Sequence, residues 1–147
     1  MLTIFFAILA TQSPWFGTGT GFPQSPSIAP DGAFVVYSDR GDLWSVPATG
    51  GGSTRLTSHP ATERRSAISP DGRTLAFESD RDGTTNIYTV PLSAENGRLA
   101  TSGPITRLTV SDRWQALSGF TPDGDAVLYH SYAGPTIYRQ PLVYQAP

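Results

Sequence analysis

Few side chains in this sequence are of kinds that do chemistry, and their spacing limits what they can do. The two histidines, His59 and His130, stand 71 residues apart, and neither has a clustered partner of metal-ligand type. Cysteine is absent, which excludes disulfides, thiolate nucleophiles and cysteine-held zinc. Ser58 and Ser66 flank His59, but neither lies in a nucleophile-elbow pattern, so no Ser/His/Asp constellation is supported and no catalytic residue is assigned. Asp31, Asp71 and Asp123 each sit in a Pro-Asp-Gly triplet. That setting reads as turn formation, and calcium-loop spacing is missing. No metal or cofactor is expected. What remains are side chains suited to binding: Arg40, His59, Glu63, Arg64, Arg65, Arg81, Asp112, Arg113 and Trp114, all in polar segments between strand-like phrases. Arg and Trp most often carry interface energy, and loops on a rigid scaffold are where binding concentrates.

The elements that must hold these residues repeat. Three phrases align, running from Ile28 to Ser38, from Ile68 to Ser79 and from Phe120 to Ser131, each built on Pro-Asp-Gly followed by a β-branched and aromatic run. Each is answered by a second phrase: Leu43 to Pro47, Ile87 to Pro91 and Ile137 to Pro141. Thr-Arg-Leu-Thr closes the first two units, at Thr54 and Thr106, and is missing from the third. Pro presets the turn, Asp bonds the local backbone, and Gly supplies positive φ. No window holds helical apolar spacing. The expectation is an all-β chain of eleven short antiparallel strands, in units of four, four and three. Extra residues of the second unit fall in its third hairpin, Ser93 to Gly103. Trp44, Tyr88 and Tyr138 hold one equivalent position per unit and are read as packing between units.

Four-stranded units at this period are the blade pattern of a β-propeller, with blades at about 27–57, 65–109 and an incomplete 117–147. A ring needs at least four blades, so the chain reads as the front of a longer propeller protein, or as a part that self-associates. Crossovers between blades and the second hairpin tips share one face of such a disc, which is where the binding candidates fall.

With 15 Gly, 13 Pro and a net charge of −2, the chain is a poor match for nucleic acid or an anionic membrane surface. The apolar run Leu2 to Ala10 is too short to span a bilayer and suits the centre of an export signal over 1–13, with 14–26 as linker. A periplasmic or secreted location is therefore expected, with the cytoplasm as alternative.

The segments "ISPDGRTLAFESDRDGTTNIYTVP" and "STRLT" closely resemble the TolB-type, WD40-like propeller repeat. The stretch from Tyr37 through "SHPATERRSAISPDG", followed by "GFTPDGDAVLYHS", is similar to the amino-terminal propeller of tricorn-like serine proteases. That resemblance implies a non-catalytic segment that admits or positions peptide and protein substrates for a peptidase core lying elsewhere. The TolB-like alternative is a periplasmic protein-interaction propeller. Partners implied are a peptide or protein, and further blades or domains in cis.

Overall fold

A computed structural model describes residues 22–132, 134 and 136–142. The export-signal reading of Leu2 to Ala10 lies outside the described residues. Among the described residues all regular structure is β, in three antiparallel sheets. The first comprises β1 (Gln24–Ile28), β2 (Phe34–Asp39), β3 (Asp42–Pro47) and β4 (Thr54–Arg55), paired in that order. The second holds β5 (Glu63–Ile68), β6 (Thr74–Ser79), β7 (Asn86–Glu95), β8 (Arg98–Thr101) and β9 (Thr106–Arg107), with β8 and β9 both on β7. The third is β10 (Gln115–Phe120), β11 (Ala126–Ser131) and β12 (Ile137–Pro141). These are the three blades, and the first strand of the middle one, β5, adjoins both β1 and β10.

Each Pro-Asp-Gly triplet makes the same turn. Gly32, Gly72 and Gly124 adopt φ of 72°, 74° and 78° and donate their N–H to Ala29, Ser69 and Thr121 three residues back. The aspartate of each triplet accepts the N–H two residues on, at 2.9, 3.0 and 3.1 Å. The turn reading of Asp31, Asp71 and Asp123 therefore matches the bonds they make. Thr-Arg-Leu-Thr has an equally local cause. Thr57 and Thr109 accept the Leu43 and Ile87 N–H through Oγ1, both at 2.9 Å. Arg55 and Arg107 donate to the carbonyls of those threonines.

The structure departs from the expected strand set in two places. Strand β1 begins at Gln24, inside the segment read as linker. The extra residues of the second unit form a strand, making twelve among the described residues: β7 overruns its blade and returns as β8 through Asn96-Gly97. Both turn residues have positive φ, the preference of a two-residue hairpin. This hairpin reaches back to the first blade, where Leu92 and Leu99 are buried in its core and Ser45 donates through Oγ to Leu99 O at 3.0 Å.

Packing follows strand alternation. In β6, Leu75 and Phe77 join Val36, Leu43 and Leu56 of the first blade, while Ala76 joins Leu117 and Val127 of the third. Among the described residues the middle blade is covered on both faces, and the outer blades on one. Tyr88 is buried against the first blade, Trp44 is half-buried, and Tyr138 remains 40% exposed, so the between-blade packing expected of this position is complete only at Tyr88. Half-buried His130 pairs with Ala116 and Ile137.

The turn glycines allow a paired test. A Cβ on Gly72 would meet nothing within 4 Å, whereas one on Gly124 would lie 3.3 Å from Pro70 Cδ in the preceding blade's turn. Gly72→Ala is expected to cost about 1 kcal/mol in urea unfolding, from backbone conformation alone. Gly124→Ala should cost on the order of 1 kcal/mol more, because it also crowds the blade junction.

Candidate functional site

The crossovers and second hairpin tips meet on one face, as hydrogen bonds between them show. Glu63 donates its N–H to Gly41 O and Gln115 to Thr85 O, while Tyr132 donates to Trp114 O, at 2.8 to 3.0 Å. Thr62 N–H reaches Asp80 Oδ1 at 2.8 Å. Each crossover is thereby tied to the hairpin tips beside it.

On this face the residues singled out from sequence separate by role. Arg40, at φ 52° in the β2–β3 tip, lines a cleft of about 270 Å³ with Glu63 and Arg64. His59 is exposed, and its Nδ1 accepts the Ala61 N–H at 3.1 Å, which braces the crossover. Asp112 and Arg113 are exposed in the next crossover, whose turn is closed by Arg113 N–H on Ser111 Oγ.

Glu63 and Arg81 form an ion pair inside the molecule. The Glu63 side chain is fully buried and that of Arg81 is 15% exposed. The Arg81 guanidinium also donates to Ser79 Oγ and lies over the Phe77 and Tyr88 rings, 5.7 and 4.9 Å from their centroids. Tyr88 in turn donates to Asp82 at 2.6 Å, and burial together with that bond pushes its hydroxyl pKa up to about 12. This assembly fills the seam between the first and second blades.

Arg64 and Trp114 are brought together. The Arg64 guanidinium lies 5.4 Å from the Trp114 ring centroid, and Trp114 stacks on Tyr132 at 4.9 Å. Tyr132 is 71% exposed, so this three-layer stack bridges the second and third blades and opens to solvent. Glu78 anchors it from below. Its fully buried carboxylate accepts Leu117 N–H at 2.9 Å and Arg64 Nε at 3.3 Å, with Arg65 Nη1 at 3.6 Å. Adjacent strand residues normally point to opposite faces. Here a β-bulge between Arg64 and Ser66, with Arg65 at φ 42°, lets both arginines reach one carboxylate. Burial holds the Glu78 pKa above the usual carboxylate range against the pull of Leu117 N–H and both arginines. Sequence reading missed Glu78 and Tyr132. The signal for Glu78 was a lone acid inside an otherwise buried strand phrase, and Tyr132 stood where the other units have Asp39 and Asp80.

Among the described residues no group of three or more His, Asp or Glu could hold a metal ion, and no helix is long and apolar enough to cross a membrane.

The family model for the tricorn protease N-terminal β-propeller domain matches residues 20–147. Tricorn protease homolog 1 of Streptomyces coelicolor is 28% identical over 114 residues, covering 75% of this chain. The chain spans only 10% of that relative's length. TolB from Acinetobacter baumannii shares the fold at a TM-score of 0.66 and 23% identity, over 86% of this chain and 31% of its own. The tricorn protease structure superposes at 0.61 and 23% identity, over 81% of this chain and 12% of its own.

Three variants test how these charges are held. Arg81→Ala strands a buried carboxylate and is expected to cost about 3 kcal/mol in chemical denaturation. Replacing both Glu63 and Arg81 by Leu should recover most of that loss. Glu78→Gln tests the raised pKa. Between the ordinary carboxylate range and the raised value the folded state binds the extra proton, so this group adds stability as pH falls. Wild type should therefore gain on Glu78→Gln as pH drops from 7 to about 4, measured by paired urea titrations.

Proposed function

Because the chain belongs to the tricorn protease N-terminal β-propeller family, we propose that it is a non-catalytic, substrate-handling part of a larger peptidase. In this reading the face carrying the crossovers receives peptide or unfolded protein and presents it to a catalytic core elsewhere in the protein. The observation that carries it is the Arg64–Trp114–Tyr132 stack, a cation–aromatic platform fixed from beneath by a buried carboxylate and open to solvent. A guanidinium and two aromatic faces, held rigid, suit the backbone and mixed side chains of a peptide. The neighbouring cleft at Arg40 would extend the contact along the first blade. Further blades in cis would cover the open faces of the first and third blades. The compartment we propose is periplasmic or extracellular, on the strength of the apolar run Leu2 to Ala10.

Titrating the full chain with capped hexapeptides of varied charge, followed by isothermal titration calorimetry, tests this reading. Trp114→Ala and Arg64→Ala should each weaken binding at least about fivefold, in line with loss of a cation–aromatic contact, with the circular dichroism spectrum unchanged. Binding indifferent to both substitutions would move the peptide off this face. The chain alone should hydrolyse none of these peptides, and turnover abolished by a serine-directed inhibitor would overturn the non-catalytic assignment.

A further inference from the structure

The seam between the first and second blades and the seam between the second and third are built on the same plan, so they can be compared position by position. Strand register gives the equivalences. Phe77 pairs with Tyr88 as Tyr129 pairs with Tyr138. Glu63 pairs with Ser79 as Gln115 pairs with Ser131. In the first seam the four residues Glu63, Phe77, Ser79 and Tyr88 surround one group, the guanidinium of Arg81. In the second seam their counterparts Gln115, Tyr129, Ser131 and Tyr138 surround a cavity of about 270 Å³.

The sequence explains why the second seam is open. In the repeat, position 81 corresponds to alanine 133, so the sequence supplies no guanidinium to the second seam at that position. Exposed apolar surface gathers at the same spot: Val110 and Tyr138, 85% and 40% exposed, both line the cavity. Their counterparts in the first seam are Ser58 and the buried Tyr88.

We propose that this cavity is a receptor site for an arginine side chain supplied by a bound peptide, occupying the place that Arg81 fills one blade earlier. The assignment rests on the peptide-binding reading above and adds a specificity to it. The chemistry of the lining supports a guanidinium. Tyr129 and Tyr138 stack with centroids 5.5 Å apart, presenting an aromatic wall of the kind over which Arg81 lies in the first seam. The Ser131 hydroxyl is an acceptor equivalent to that of Ser79. Gln115 gives its amide N–H groups to Arg113 O and Ser131 Oγ, which leaves its carbonyl oxygen as an acceptor. A planar guanidinium, less strongly hydrated than an ammonium, fits an aromatic-walled polar slot better than lysine does. The one element of the first seam that is not reproduced is the carboxylate of Glu63, which Gln115 replaces. A transient ligand, unlike a permanent internal side chain, must also be able to leave, and a neutral acceptor allows that.

The probe is acetyl-arginine amide, with acetyl-lysine amide and acetyl-citrulline amide as controls, titrated into the full chain. Binding is read from chemical shifts of the Gln115 side-chain amide and of the Tyr129 and Tyr138 rings. The arginine compound should shift these signals, with the lysine compound weaker and citrulline, the neutral isostere, without effect. Tyr138→Ser changes an exposed ring and should abolish the shifts while leaving the fold intact. Gln115→Glu restores the carboxylate of the first seam and should tighten binding about tenfold. Equal shifts from citrulline, or arginine binding unchanged in both variants, would overturn the assignment. If hexapeptides bind the crossover face regardless of arginine content, this site fails and the peptide-handling reading survives. If arginine amide binds here while no hexapeptide competes with it, the site stands and the peptide-handling reading fails.

Discussion

A sheet of three to five short strands has two faces and no interior, so each blade depends on its neighbour to take its apolar side chains out of water. Everything else in this molecule is arranged around that constraint. Strand β6 meets it twice, sending Leu75 and Phe77 to one side and Ala76 to the other, and the middle blade is the one with both faces covered. The β7–β8 hairpin strengthens one of the two junctions by laying Leu92 and Leu99 into the core of the first blade. Even the turns participate, since Gly124 of the third blade packs near Pro70 of the second. The blades at either end each present a face with no described neighbour, and Ile137, 65% exposed and on the opposite side of β12 from Tyr138, shows the apolar surface such a face leaves in water.

Buried charge is concentrated in the second blade, on the sides that face its neighbours. Glu63 with Arg81, and Glu78 with the Arg64–Arg65 pair, are each a carboxylate drawn out of water and matched by guanidinium donors from a nearby strand or turn. A buried charge must be matched to be tolerated, and both matches are made within the second blade, with Leu117 N–H of the third blade joining Glu78. The bulge at Arg65 is what allows two consecutive arginines to serve one acid. Its by-product is functional: Arg64, held by Glu78, is presented under Trp114, and the platform on the crossover face is rigid because its foundation is a structural ion pair. The second seam, lacking an arginine at position 133, has space where the first has a guanidinium. One repeat pattern thus yields a sealed seam and an accessible one.

The sequence by itself determined the repeat and the local structure that follows from it. Pro-Asp-Gly, Thr-Arg-Leu-Thr and the alternating strand runs each act through bonds within a few residues, so they were legible as turns, strand closures and strands without knowledge of the fold. The tertiary structure decided what each charge is for. Glu63 and Arg81 stand 18 positions apart and read as loop residues, yet they close on each other inside a seam. Arg64 and Trp114 were both legible as candidates, but their contact, and the roles of Glu78 and Tyr132, depend on how one blade is laid on the next. The β7–β8 excursion was legible as extra residues, and its grip on the first blade was not. The physical reason is the same in each case. Turn chemistry and strand alternation are short-range, whereas burial and pairing of a side chain depend on which distant surface covers it.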